Sequence, residues 1–83
     1  MRVCEKKFLW DEKEYIIAIE LEDNGLAGDF VVRTYYNNQP AFAPVREKAM
    51  QALCTAMENG KSPFSDIITV AEYNIKQGFN RIP

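Results

Sequence analysis

Three stretches in the first half of the chain favour β-strands: a short one with an apolar end, and two whose side chains divide between two faces with a two-residue period. These stretches are residues 3–10, 15–21 and 30–36. The two-residue period is that of a β-strand, whose side chains point alternately to opposite faces. Polar residues 11–13 separate the first two stretches, and the turn-forming residues 23–25 separate the next two. The pattern predicts three antiparallel strands joined by hairpins. In the second strand, one face is apolar throughout: Tyr15, Ile17, Ile19 and Leu21.

The apolar period lengthens to that of an α-helix in the second half of the chain. Pro40 cannot donate to a strand ladder, so residues 37–40 are expected to form a loop that ends the third strand. Pro44 fits the first turn of a helix, where a missing N–H is not felt, and Gly60 fits the position just after its end. We therefore predict a helix over residues 44–58. The residues expected on its buried stripe are Val45, Ala49, Ala52, Leu53, Ala56 and Met57.

A second helix is predicted from Pro63 until Gly78. Ser62 is a suitable N-cap, and Asp66 in the first turn suits the helix dipole. The apolar residues at helical spacing are Phe64, Ile67, Ile68, Ala71 and Ile75. Residues 67–70 also have high β propensity, so a strand is the competing prediction. Phe79 and Ile82 are expected to fold back on the core.

Strands followed by helices predict a small α+β domain over residues 1–83. We expect a three-stranded antiparallel sheet with two helices packed on one face. The composition, 47% apolar and 27% charged, is that of a folded protein. No apolar run reaches the ~20 residues of a membrane span, and charges interrupt residues 1–20 where a secretory signal would be apolar. We therefore expect a cytoplasmic protein without membrane contact.

Catalytic and metal-binding chemistry is poorly represented in the sequence. The chain has no histidine and two widely spaced cysteines, Cys4 and Cys54, fewer ligands than a zinc site of cysteines and histidines requires. Cys54 falls beside the predicted buried stripe, where thiols are unreactive. We predict a non-enzymatic protein without a cofactor. The acidic residues Glu20, Glu22, Asp23 and Asp29 could surround a hard cation, but their spacing is not that of an EF-hand, and a solvated acidic edge is the favoured interpretation.

The charge distribution argues against nucleic acid as the main partner. The net charge is −2, with acidic residues concentrated between residues 11 and 29. Nucleic-acid-binding domains usually carry a basic face. A local basic surface is the alternative to an ordinarily solvated one, and its members would be Arg33, Arg46, Lys48, Lys61, Lys76 and Arg81.

The candidate binding residues lie at the end of the third strand and in the loop that follows it. They are Arg33, Tyr35, Tyr36, Asn37 and Asn38. Tyr35 and Tyr36 should point to opposite faces of the sheet, one into the core and the other toward the surface. An exposed tyrosine beside arginine and asparagine can anchor a protein interface or stack on a base. Cross-strand packing is the alternative role for both rings.

Three segments of the chain resemble the WGR domain. They are Tyr15-Ile-Ile-Ala-Ile-Glu-Leu, Gly28-Asp-Phe-Val-Val-Arg33 and Lys76-Gln-Gly-Phe79. WGR domains are small sheet-plus-helix modules of DNA-damage-responsive poly(ADP-ribose) polymerases and of stand-alone bacterial proteins. The resemblance implies a nucleic-acid-binding role. The family's Trp-Gly-Arg signature should follow Arg33, where this chain has Tyr35-Tyr36-Asn37-Asn38, and Asn38 cannot replace arginine as a phosphate-binding fork.

Two functions follow from these patterns. The first is a protein-interaction module, an inhibitor or adaptor that binds a protein partner through its sheet edge and the tyrosine loop, residues 35–40. Small inhibitors from phages or mobile elements are one such class. A homodimer formed through an exposed sheet face is compatible with this hypothesis. The alternative is a degenerate WGR-like module that binds nucleic acid through Arg33, Tyr35, Tyr36 and basic helix residues.

Overall fold

A computed structural model describes residues 2–24, 27–60 and 62–82. It contains a four-stranded antiparallel sheet followed by two helices, in the order β1 (Arg2–Trp10), β2 (Lys13–Asn24), β3 (Ala27–Tyr36), β4 (Gln39–Lys48), α1 (Ala49–Asn59) and α2 (Pro63–Gln77). Each strand pairs with its neighbours in the chain, so the sheet is a meander. The α+β prediction is confirmed, but the sheet has four strands, not three. Asp23 and Asn24, predicted as part of a turn, end β2, and Gly25 lies outside the described residues.

Two hairpin turns have the same unusual backbone. Asp11 and Glu12 join β1 to β2 with φ of 52° and 62°, and Asn37 and Asn38 join β3 to β4 with the same two values. Positive φ at both central residues gives a turn whose twist matches that of the flanking strands. Asparagine and aspartate tolerate this conformation better than most residues, whereas Glu12 adopts it at a cost. The short polar segment at residues 11–13 was correctly predicted as a hairpin.

The predicted loop at residues 37–40 and the predicted helix start at Pro44 are wrong. The turn at Asn37 and Asn38 reverses the chain, and residues 39–48 run back along β3 as β4. Pro40 and Pro44 are tolerated because β4 is an edge strand, where a residue need not donate a ladder hydrogen bond. The register also shifts at two places: Val32 faces Val45, Thr34 faces Phe42 and Tyr35 faces Pro40. At each shift β4 carries one extra residue, which is characteristic of a bulge.

The two helices begin differently. α1 starts five residues later than predicted, at Ala49, and its N-cap residue Lys48 provides no side-chain hydrogen bond. α2 starts as predicted, with the Ser62 hydroxyl oxygen accepting from the Phe64 N–H at 3.3 Å. Gly60 and Gly78 end the helices in the left-handed conformation, as expected for glycine after a helix. Residues 67–70 are helical, so the competing strand prediction is wrong. No helix within the described ranges is long and apolar enough to cross a membrane.

The core lies between one face of the sheet and the two helices. The sheet contributes Tyr15, Ile17, Ile19, Phe30, Val32 and Phe42, and the helices contribute Ala49, Ile67, Ile68, Ala71 and Ile75. The predicted inner faces of β2 and α2 are therefore confirmed. The opposite face of the sheet, which points away from both helices, is called the open face below. Its central residues are Ala18 and Val31, which are paired in register with Arg33 and Glu20 respectively.

The segment after α2 runs along the outer edge of β4. The Ala43 N–H donates to the Asn80 carbonyl at 2.7 Å, and the Ile82 N–H donates to the Ala41 carbonyl at 3.0 Å. The expectation that Phe79 and Ile82 enter the core is wrong, because both side chains are exposed. The segment is attached through its backbone. It pairs with part of the β4 edge, where backbone N–H and C=O groups would otherwise lack partners in the sheet.

Candidate functional site

The structure separates the five predicted binding residues. Arg33 and Tyr35 point to the open face, whereas Tyr36 lies on the helix side of the sheet, packed against the core. Asn37 and Asn38 form the exposed hairpin turn. The predicted tyrosine loop is therefore the end of one strand, a two-residue turn and the start of the next strand. Its side chains do not converge on one surface.

The two adjacent tyrosines have different surroundings. The Tyr36 ring lies 5.5 Å from the Tyr15 ring and the Lys13 ammonium lies 5.9 Å from its centre. The Tyr35 ring faces the Arg2 guanidinium, 5.8 Å from its centre. The prediction that the rings point to opposite faces, with one joining the core, is confirmed. Tyr36 serves mainly to cover the end of the core, because cross-strand aromatic pairs stabilise sheets.

Carboxylates already engage Arg33. Its Nε donates to Glu20 Oε1 at 3.3 Å, and its terminal nitrogen lies 3.7 Å from Glu22. Arg46 donates to Glu22 at 2.6 Å, and this hydrogen bond, with the charges of Glu22 and Asp29, raises the pKa of Arg46. A phosphate would have to displace these acidic partners. The two arginines are therefore poorly placed to act as a phosphate-binding pair.

The ion pairs continue across the whole open face. Besides those of Arg33 and Arg46, they include Arg2 with Glu5 and Glu20, and Lys7 with Glu14. Beneath them, Ala18 and Val31 are completely buried although no helix packs on this side. Long charged side chains can cover apolar surface with their aliphatic stems. On the open face, side chains of both charges therefore cover a small apolar layer. The face is neither a basic surface nor an acidic one.

The alternatives of a local basic surface and of a cation site at the acidic edge gain no support from the described residues. Arg46 and Lys48 belong to β4, whereas Lys76 on α2 lies over the Phe8 and Trp10 rings at 5.9 and 5.3 Å. Lys61 is outside the described residues. Among the residues that the structure describes, no cluster of three or more histidine, cysteine, aspartate or glutamate side chains could hold a metal ion.

The edges of the sheet give limited support to strand addition. The β4 edge carries Pro40 and Pro44 and is partly paired with residues 80–82. The β1 edge carries Lys6 and Lys7, and Lys6 forms a 2.8 Å ion pair with Glu72 of α2. Prolines and lysines are devices that discourage an incoming strand.

The described residues form two depressions near β4 and the helices. A groove between β4 and α2, lined by Phe42, Val45, Val70 and Phe79, encloses about 30 Å³, room for one or two waters. A wider cleft of about 520 Å³ between α1, α2 and β4 is open and is lined by charges of both signs, including Lys48 and Asp66. No described buried side-chain polar atom lacks a hydrogen-bond partner, so none waits for a ligand in either place.

Sequence reasoning missed an exposed apolar surface that lies on α1. Met50, Leu53, Cys54 and Met57 recur at spacings that share one side of a helix, and they are called the outer stripe below. Met50, Leu53 and Met57 are 71%, 43% and 81% exposed, and Cys54 is also exposed. The prediction that Leu53 and Met57 face the core is wrong.

The reason is that α1 packs on the sheet through alanines. Ala49 and Ala56 are buried, and Ala52 packs against the core. Small side chains let the helix approach closely, which turns the neighbouring bulky residues outward. The sequence does contain a signal for this orientation of α1. Met50 and Cys54 complete a second helical stripe beside the stripe of alanines. Periodicity alone predicts that the larger residues face inward, because burying them is more favourable in isolation.

Comparison with protein-family models, with curated proteins and with solved structures finds no match to this chain. The resemblance to WGR domains therefore stays a prediction.

Proposed function

We propose that this chain is a non-enzymatic protein-interaction module, an adaptor or inhibitor, that binds its partner through the outer stripe of α1. The observation that carries the proposal is the exposure of Met50, Leu53 and Met57 along a single helix face. Scattered apolar residues on a surface are ordinary, but a contiguous row is typical of an interaction site. Methionines are common on such surfaces because their flexible side chains adapt to a partner.

The free energy gained by burying the outer stripe is enough for binding of moderate affinity. Removing each of these side chains from water contributes about 1.5–3 kcal/mol. Association costs about 4–15 kcal/mol in lost freedom, so a single helix face supports modest affinity unless the partner adds contacts. An amphipathic helix that lies in an apolar groove is a recurring mode of this kind.

The sheet edge and the tyrosine loop are weaker candidates for the binding site of such a module. Arg33 is held by Glu20 and Glu22, and Tyr36 is packed against the core. The WGR-like nucleic-acid-binding alternative depends on the same residues and remains a prediction. Binding through phosphates would weaken steeply as salt is raised. The absence of binding to short DNA and RNA duplexes at low salt would exclude it.

A retention assay tests the proposed surface. Three tagged chains, namely wild type, Leu53→Glu and Leu9→Glu, are used to capture proteins from lysate of the source cells. A second copy of this chain counts as a captured protein. Leu9 is 70% exposed on β1, so Leu9→Glu is a matched control for adding a charge at an exposed leucine. We expect wild type and Leu9→Glu to retain the same partner and Leu53→Glu to lose it. Equal retention by all three chains would overturn the proposal.

A further inference from the structure

We infer that α1 opens by itself: it leaves the sheet and unfolds while the four strands and α2 stay folded together. This state is called the open form below. The inference goes beyond the proposed function, because the opening belongs to the isolated chain and needs no partner. Three features of the structure support it, namely the small surface that α1 buries, the ends of the helix, and the contacts that hold α2.

The apolar surface that α1 itself buries is small. Ala49 and Ala56 are its buried residues, and Ala52 packs beside the core. The free energy gained by burial is roughly proportional to the apolar area removed from water, and each alanine brings a single methyl group. The larger apolar side chains of the outer stripe stay exposed. Opening of α1 therefore gives up little apolar burial by the helix.

Most of the apolar core lies between the sheet and α2. Ala49 is the contribution of α1 to the buried cluster, whereas α2 contributes Ile67, Ile68, Ala71 and Ile75. The Phe64 ring of α2 also packs edge-on against Phe30 of β3, with the ring centres 5.5 Å apart. Because these contacts do not involve α1, the sheet and α2 keep the larger part of the core in the open form.

The ends of α1 lack the interactions that stabilise the ends of α2. The N-cap residue of α1, Lys48, makes no side-chain hydrogen bond, and the first and last turns carry no acidic and no basic residue respectively. α2 has the Ser62 cap, Asp66 in its first turn and Lys76 in its last. Caps and charges that oppose the helix dipole stabilise a helix at its ends. A helix of 11 residues without them is marginal in water, so α1 unfolds once it leaves the sheet.

Charged side chains of α2 also reach β1. Glu72 forms a 2.8 Å ion pair with Lys6, and the Lys76 ammonium lies 5.3 Å from the centre of the Trp10 ring. Each such contact contributes little at a surface, but together they add to the buried isoleucines of α2. The sequence of α1 contains one charged residue, Glu58, and no aromatic residue, so this helix cannot form a comparable set of contacts.

Native-state hydrogen exchange, resolved by residue, tests the inference on the isolated chain. Core amides of a small domain exchange through global unfolding, whereas a segment that opens locally exchanges faster. After correction for intrinsic rates, we expect amides 53–59 of α1 to exchange at least about 100-fold faster than those of Ile17 and Ile19 in β2. Amides 67–75 of α2 should exchange within about tenfold of the β2 amides. Protection of α1 equal to that of β2 would overturn the inference.

Two substitutions show whether the opening of α1 is independent of global unfolding. Ile17→Val weakens a part of the core that stays folded in the open form. It should speed exchange of the β2 amides about twofold to tenfold and leave the α1 amides unchanged. Ala52→Gly is the matched control, because it weakens α1, which is unfolded in both states; it should speed exchange in α1 and β2 alike, by about fivefold. Equal acceleration of α1 and β2 by Ile17→Val would overturn the inference.

The exchange measurements and the retention assay can fail separately. If α1 opens by itself but Leu53→Glu still retains the partner, the proposed function is wrong and the inference stands. If α1 is as protected as β2 but Leu53→Glu loses the partner, the inference is wrong and the proposed function stands.

Discussion

Arg33 and Glu20 lie diagonally across β3 and β2 on the open face, with the Arg33 Nε 3.3 Å from Glu20 Oε1. Glu20 is the register partner of Val31, and Arg33 is the register partner of Ala18. The ion pair therefore spans the two residues that are fully buried without a helix above them. Its main contribution to stability is expected to be apolar cover, because a partly exposed ion pair by itself contributes little.

Arg33→Ala should lower the free energy of unfolding by about 1 kcal/mol, because it removes both the stem over Ala18 and the charge. Arg33→Met keeps an apolar stem and should lose less than half as much. Urea denaturation of the two variants makes the comparison. An Arg33→Met variant as unstable as Arg33→Ala would show that the charge, and not the cover, is the larger contribution.

Glu12→Gly should stabilise the β1–β2 hairpin by about 0.5–1 kcal/mol, because glycine adopts positive φ without the steric cost that other residues incur. Glu12 has a φ of 62°, and the resulting Asp-Gly pair is favoured in this kind of turn. Thermal unfolding provides the measurement. Glu12→Ala is the control, since it removes the same side chain but keeps the strain; equal stabilisation by alanine would contradict the backbone explanation.

Ile17→Ala should destabilise the protein by about 2–5 kcal/mol, because Ile17 is completely buried at the centre of β2 and its loss leaves a cavity. Ile17→Val should cost about 0.5–1.5 kcal/mol. Leu9→Ala, at an exposed position of β1, should change stability by less than about 0.5 kcal/mol. Chemical denaturation that ranked Leu9→Ala with Ile17→Ala would refute the placement of the core.

Ser62→Ala should lower stability by about 0.5–2 kcal/mol, because the Phe64 N–H at the start of α2 loses its acceptor. Ser62→Asp should be close to wild type, since aspartate caps a helix as well as serine does. Far-ultraviolet circular dichroism followed through thermal unfolding reports the difference. Comparable losses in both variants would indicate that the hydroxyl does not act as a cap.

The sequence was sufficient for the elements whose local signals agree with their packing. Ser62, Pro63 and Gly78 marked α2, and the alternation around Ile17 marked β2. It was insufficient for β4 because Pro40 and Pro44 normally break regular structure, and their tolerance depends on the strand lying at an edge. Before Pro40, Asn37 and Asn38 predict the end of a strand, although two residues that accept positive φ also suit a hairpin.

The candidate surface on α1 was harder to predict for a different reason. Helical periodicity shows which residues share a face, but it does not show which face the tertiary structure covers. Leu53 and Met57 gain more from burial than Ala52 or Ala56, so the sequence predicts them in the core. The close approach of α1 to the sheet, which only small side chains permit, reversed that assignment. The opposite orientations of Tyr35 and Tyr36 were predictable, because strand geometry alone fixes them.

The meander order of the sheet has a consequence for the speed of folding. Every strand pairs with the one next to it in the chain, so each hairpin closes a short loop. Short loops cost little entropy to close, and proteins dominated by near-neighbour contacts fold fast for their class. The sheet can form hairpin by hairpin before the helices dock. Substitutions in the turns at Glu12 and Asn38 should then alter mainly the folding rate, whereas substitutions of Ala52 or Ala56 should alter mainly the unfolding rate.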